Sequence, residues 1–415
     1  MVLGTDEFRP LASVQASAHG LPDLPVVTVA HPIGGIAEAL IRRKAEPIVD
    51  EVARALTAAP TASGDLFRGE APGVHGAPED LDDFQAWIME RGWGDGLPAI
   101  PATPARIGRM LTATERAPAD VVAVLAPRLG EATVERIAAN AVLAGALPEH
   151  FPVILAAVEA VADPAFNLQA VQTTTHPCSP LVIVNGPIVR RLGINAGGNA
   201  LGQGTRANAV IGRALRLVLQ NIGGARPGRE DRATQGHPGK YSYCVAENEA
   251  GSPWEPLSVE RGFEPSASTV TVCGSEAPHN VNDHGSTTAL GIATTVAGTA
   301  AIVGHNNVYL GGELLLGLGP EHAVTAASSG WKKEDFKRAV WERSQLPLSR
   351  FTAENLARFA AIHPETFRDR APDALVPMTR DWRDMMVIVT GGAGKHSVVI
   401  PTFGMTRSVT RRVGG

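Results

Sequence analysis

The chain has 415 residues, enough to bury a sizeable core and to hold two or three structural units. Its 44 glycines and 31 prolines follow no repeat, which excludes collagen-like and disordered low-complexity sequence in favour of a turn-rich globular chain. There are 37 basic and 42 acidic side chains, a formal charge of −5, and no basic stripe interleaved with aromatics, which argues against nucleic acid as the main partner.

The N-terminus carries Asp6, Glu7 and Arg9 and lacks the long apolar core of a secretory leader. The longest uncharged run, 285–304, is filled with Gly, Thr, Ser and Ala, so a buried helix is expected there and no membrane span. Cys178, Cys244 and Cys273 have no paired spacing, which fits a reducing cytoplasm and not a disulfide scaffold.

Residues 25–30, apolar apart from Thr28, predict a short strand, followed by the turn His31-Pro32-Ile33-Gly34-Gly35 and a helix over 37–58. One strand and one helix cannot close a core, so 1–57 is expected to dock on the main domain or on another chain. Residues 58–80, rich in Ala, Pro, Gly, Ser and Thr, read as a linker to a main α/β domain over 81–415, with a helical portion at 81–165. Asp80 caps a helix running to Trp93, and further helices are expected at 105–115, 132–146 and 149–162, with a strand at 121–126. Strands at 170–174 and 181–185 bracket Thr175-His176-Pro177-Cys178-Ser179-Pro180. A helix over 206–222 is apolar around most of its circumference, with Arg206, Arg213, Arg216 and Gln220 on the remaining stripe. Further on come a helix at 286–302, a strand at 313–318, a helix opened by Pro320, helices at 333–345 and 353–363, and strands at 385–389 and 398–402. The fold class is therefore α/β, with mixed sheets, flanking helices and a small strand–helix fragment in front.

The chemistry concentrates in 240–284. Two β-type runs, 241–246 and 268–273, each end in polar side chains: Glu247, Asn248 and Glu249 after the first; Glu276, His279, Asn280, Asp283 and His284 after the second. Loops leaving strand ends hold polar groups in fixed positions, and so many His, Asp, Glu and Asn side chains must find water, each other or a ligand. His279, Asp283 and His284 form a candidate set for a divalent metal such as zinc or iron, although no standard short metal signature is present. Glu321-His322 stands where a strand gives way to a helix, a position suited to acid/base work. Cys178, two residues from His176, is a nucleophile only if a base or a helix N-terminus lowers its pKa.

Two glycine-rich runs mimic nucleotide motifs and fail. Gly202-Gln-Gly204-Thr-Arg-Ala207 lacks a strand feeding the first glycine. Gly391-Gly392-Ala393-Gly394-Lys395-His396 has His396 where Ser or Thr belongs and leads into a strand. The first remains a candidate anion cradle through Arg206, or its helix's arginines pair with internal acids such as Glu247 or Glu249; the second presents Lys395 and His396 to a ligand.

The segment Leu24-Pro25-Val26-Val27-Thr28-Val29-Ala30-His31-Pro32-Ile33-Gly34-Gly35 is similar to the C-terminal half of the UGSC-like family, named for a selenocysteine (or cysteine)–Gly–Ser–Cys motif in its first half. From about Asp82 onward the chain resembles a bacterial family linked to that domain, through Ile183-Val184-Asn185-Gly186-Pro187, the 247–256 segment with Trp254, and Gly319-Pro320-Glu321-His322-Ala323. The resemblance implies that a separate small polypeptide carries the motif-bearing first half and that this chain is one subunit of a hetero-oligomeric thiol- or selenol-dependent enzyme. The motif is itself similar to the reactive motif of glycine- and proline-reductase selenoproteins, in which a thiolate or selenolate attacks carbon and a neighbouring thiol resolves the adduct. By that analogy this chain supplies a small-molecule pocket of oxidoreductase or lyase type. Glu247, Glu249, His279 and His322 would move protons, and Asn185, Asn248 and Lys395 would orient, with Trp254 and His396 against the substrate. A metal-dependent lyase or hydrolase acting alone, and a non-catalytic scaffold, are the other expectations.

Overall fold

The computed structural model describes residues 1–57 and 73–414. Most of the expected linker 58–80 thus lies outside the described residues.

The N-terminal unit is a small parallel β–α–β arrangement. Strands β1 (Val2–Thr5) and β2 (Val26–Val29) pair in parallel register across the helix Arg9–Ala18. The sequence reading missed β1 and this helix, whose apolar residues are too few to signal either. The expected 37–58 helix is broken at Pro47 into Glu38–Ala45, a 3₁₀ turn Glu46–Ile48 and Val49–Thr57, because proline removes a backbone donor. The unit touches the rest of the chain through Gln15 on the Pro127 carbonyl and through Arg232, which pairs with Glu7 and lies over Phe8.

Beyond it, a hairpin of β3 (Val121–Leu125) and β4 (Gly130–Thr133) precedes two four-stranded sheets. Their strands in chain order are β5 (Ser179–Asn185), β6 (Cys244–Ala246), β7 (Thr269–Ser275), β8 (His279–Asn282) and β9 (Leu314–Leu318). After a small antiparallel pair, β10 (Gln345–Pro347) with β11 (Leu375–Pro377), come β12 (Met385–Val389), β13 (His396–Pro401) and β14 (Val409–Arg412). The first sheet is ordered β14-β7-β5-β6 and the second β8-β13-β9-β12; both run antiparallel, antiparallel, parallel. The two sheets are topological copies, with β5 matching β9, β6 matching β12 and β7 matching β13. The fourth strands are exchanged: β8 follows β7 in the chain but joins the second sheet, and β14 follows β13 but joins the first.

Alternating side chains explain the layering. Leu181, Ile183, Val245 and Cys273 of the first sheet meet Leu315, Met386, Ile388 and Ile400 of the second in an inter-sheet core. Their neighbours Val182, Val184, Ala246, Val270 and Val272 face helices Val134–Leu143, Phe151–Ala162 and Arg206–Asn221. Leu314, Leu316, Met385 and Val387 face helices Ala289–Ala300, Pro320–Ser328 and Lys333–Arg343. The result is four layers, helix–sheet–sheet–helix, which is why β5, β7, β9 and β12 are buried at every position. The 170–174 segment, expected as a strand, belongs instead up to Thr173 to the helix Leu168–Thr173, which Asn167 opens by accepting from the Ala170 N–H. Among the described residues no helix is long and apolar enough to cross a membrane.

Both copies turn on Gly-Pro. Gly186 has φ +88°, and a side chain at Gly186 or Gly319 would collide with a carbonyl oxygen of the neighbouring backbone, that of Ala267 or His396. Glycine is required for these close approaches. They set the C-terminal ends of β5 and β9, where the candidate site lies.

Candidate functional site

At the end of β5 the Asn185 amide Nδ2 donates to Glu247 Oε2 (2.7 Å) and to Glu249 Oε1 (2.9 Å). Glu247 Oε2 also accepts from the Leu257 N–H at 2.8 Å, and Glu249 Oε1 from the Gly186 N–H at 2.7 Å. Asn185 and Glu247 are fully buried, 0% and 2% exposed, while Glu249 is half-buried. Glu247 Oε1 and Asn185 Oδ1 have no hydrogen-bond partner. Burial pushes the Glu247 carboxyl above its ordinary range, opposed by the Lys333 ammonium. Because Oε2 already takes two N–H bonds, the proton of the neutral form belongs on Oε1.

Lys333 and Lys337, both buried, meet Glu260, whose carboxyl they hold below the usual range although burial opposes them. Trp254 donates its indole N–H to the Trp331 carbonyl (3.0 Å) and packs on Phe336. Asn248 binds the end of β12 through its N–H on the Val389 carbonyl (2.7 Å), and its side-chain oxygen caps Gly251. The Glu247–Glu249 turn is thus seated where the two parallel edges β6 and β12 meet.

The other expected residues fall elsewhere. His322 is fully buried: Nδ1 contacts Ser397 Oγ at 2.7 Å and Nε2 the Asp283 carbonyl at 3.0 Å, while Ser397 Oγ accepts from the Gly319 N–H. His279, exposed, opens β8, the edge strand farthest from β12, so the structure does not bring it to Glu247. The expected metal set does not converge. Asp283 turns inward to Thr295 Oγ1 (2.7 Å) and the Ser286 N–H (2.9 Å), bonds that keep its carboxyl below the ordinary range against the effect of burial. Among the described residues no three His, Cys, Asp or Glu side chains gather as metal ligands. His284 instead meets His396, with Lys395 Nζ on the His284 carbonyl (3.3 Å).

Cys178 is 1% exposed, and burial pushes its thiol up to about 12, the opposite of the lowering that a nucleophile there requires. Arg206, exposed, donates through Nε and Nη2 to the Gly145 carbonyl. The arginine stripe does not reach Glu247 or Glu249: Arg213 grips Asp95, and buried Arg216 bonds the Lys240 carbonyl, Gln172 and Ser179.

Sequence reasoning missed one cluster. Where β7 passes to β8, Glu276 Oε1 meets His176 Nε2 at 2.6 Å, and the Tyr243 hydroxyl donates to the Glu276 carbonyl. His237 and His305 also feel the Glu276 charge, and burial lowers the pKa of both. His176, His237 and His305 come from separate loops, so no spacing pattern announces them.

A family model described as the UGSC family matches residues 1–58. No curated protein and no solved structure matches the chain. The match therefore coincides with the β1–β2 unit, from Met1 to the end of the Val49–Thr57 helix, and does not extend into the four-layer body.

Proposed function

We propose that this protein is a subunit of a thiol- or selenol-dependent enzyme complex, in which the UGSC-family segment docks on a motif-bearing polypeptide and the body supplies acid/base and orienting groups. One observation carries the reading. The UGSC match falls on a parallel sheet of only two strands, whose outer edges pair with no other strand among the described residues and whose surroundings leave Leu3, Leu40, Val49 and Leu56 exposed. Parallel sheets are ordinarily buried, and two strands alone are marginal in water, so the segment is suited to completion by further strands. The thiols of this chain support the division of labour: Cys178, Cys244 and Cys273 are all buried and pushed up to about 12, leaving the nucleophile to the partner.

In the chemistry proposed, a partner thiolate or selenolate displaces a substituent from carbon. A second thiol then attacks the adduct, forming the S–S or Se–S bond and releasing carbon, which takes a proton. Two thiols are oxidised while one carbon–heteroatom bond becomes carbon–hydrogen. The proton is the contribution assigned to Glu249 and, behind it, Glu247. Co-expression with a Cys-Gly-Ser-Cys polypeptide is expected to yield a co-purifying complex that Leu3→Asp on β1 disrupts. Wild-type protein that elutes alone from that co-expression overturns the reading.

A further inference from the structure

We propose that His284 and His396 bind a divalent transition-metal ion of the Zn²⁺ type. Their Nε2 atoms face each other at 3.3 Å, with the rings at 79°. Two imidazole nitrogens each about 2.0–2.1 Å from a tetrahedral zinc ion lie roughly 3.3–3.4 Å apart, so the pair already spans one edge of a coordination tetrahedron. At 3.3 Å the two nitrogens also lie within hydrogen-bond reach, a long contact that an ion held by both lone pairs would replace.

The outer contacts suit the same role. His396 opens β13 and pairs in register with Asn282 of β8, two residues before His284, so both rings are presented by paired strands and the turn leaving them. His396 Nδ1 meets the side-chain oxygen of Asn280 at 3.1 Å. A carbonyl oxygen can only accept, so Nδ1 carries the proton and Nε2 keeps the lone pair that a metal needs. Lys395 ties down the His284 backbone. Both rings are exposed, and neighbouring Asp283 and His322 are committed elsewhere. The remaining coordination positions therefore fall to water or to an incoming oxyanion, toward which the Lys395 ammonium on the same turn is favourable. The site does not depend on the UGSC segment or on any partner.

Untagged full-length protein titrated with Zn²⁺, and separately with Ni²⁺, by calorimetry at neutral pH is expected to bind one ion per chain. His284→Ala and His396→Ala should each lose at least tenfold in affinity. Asn280→Ala should lose about tenfold by freeing the His396 ring. His279→Ala, on the same strand, should bind as wild type. Circular dichroism checks that the variants are folded. A wild type with no single-site isotherm, or His284→Ala and His396→Ala binding as wild type, overturns the proposal.

Discussion

Asp95→Asn tests whether the arginine stripe of the 206–221 helix is structural or awaits an anion. Arg213 Nε and Nη2 reach Asp95 Oδ2 and Oδ1 at 2.7 and 2.8 Å, and the guanidinium also donates to the Pro98 and Leu97 carbonyls, each at 2.9 Å. The two side chains are 12% and 4% exposed. Asparagine keeps the volume but removes the charge and turns an amide N–H₂ toward one guanidinium nitrogen. Breaking a buried pair costs about 3–5 kcal/mol; because two carbonyls still accept from Arg213, the expected loss is near 3 kcal/mol. That is a large part of ordinary domain stability. Urea unfolding followed by tryptophan fluorescence would read it, since Trp87 and Trp93 lie in the segment that Asp95 anchors. Asp95→Leu combined with Arg213→Met should recover much of the loss, because two apolar side chains leave no unpaired charge. If Asp95→Asn unfolds within about 1 kcal/mol of wild type, the pair is not the strut described and Arg213 is available to a ligand.

Two further outcomes follow from burial. In native protein at pH 8, iodoacetamide should leave all three cysteines unmodified by mass spectrometry and label them only after denaturation, since each thiol is pushed up to about 12; rapid native labelling of Cys178 would contradict this. Glu247 holds its proton more firmly folded than unfolded, so its contribution to stability is complete below the unfolded carboxyl value of about 4.3 and declines as pH rises through the raised folded value. Thermal melts from pH 4 to 8 should therefore show wild type losing stability relative to Glu247→Gln as pH increases, and an opposite trend would refute the assignment.

The periodicity of the chain made some of this legible. The apolar run 385–389 gave β12 to the residue, and the wheel of the 206–221 helix correctly foretold its burial, because both signals are local. A strand is expected at 170–174, yet the Asn167 cap and packing against the first sheet favour a helix. The Asn185–Glu247–Glu249 contacts join residues about sixty positions apart, and could be suspected only from the crowding of polar groups at strand ends. The Glu276 histidines and the opposition of His284 to His396 arise from pairings between strands that no sequence spacing encodes.

The exchanged strands set an order on synthesis. β5, β6 and β7 leave the ribosome early, but the neighbour that covers the outer edge of β7 is β14, the last of the strands described. Until Val409–Arg412 emerges, Thr269–Ser275 keeps one side of its backbone unpaired, an invitation to mispairing with other chains. A stop codon placed after Thr406 would spare every residue of the Glu247 cluster and yet reopen the first large sheet. Such a truncated product is expected to accumulate in inclusion bodies while its longer counterpart stays dispersed.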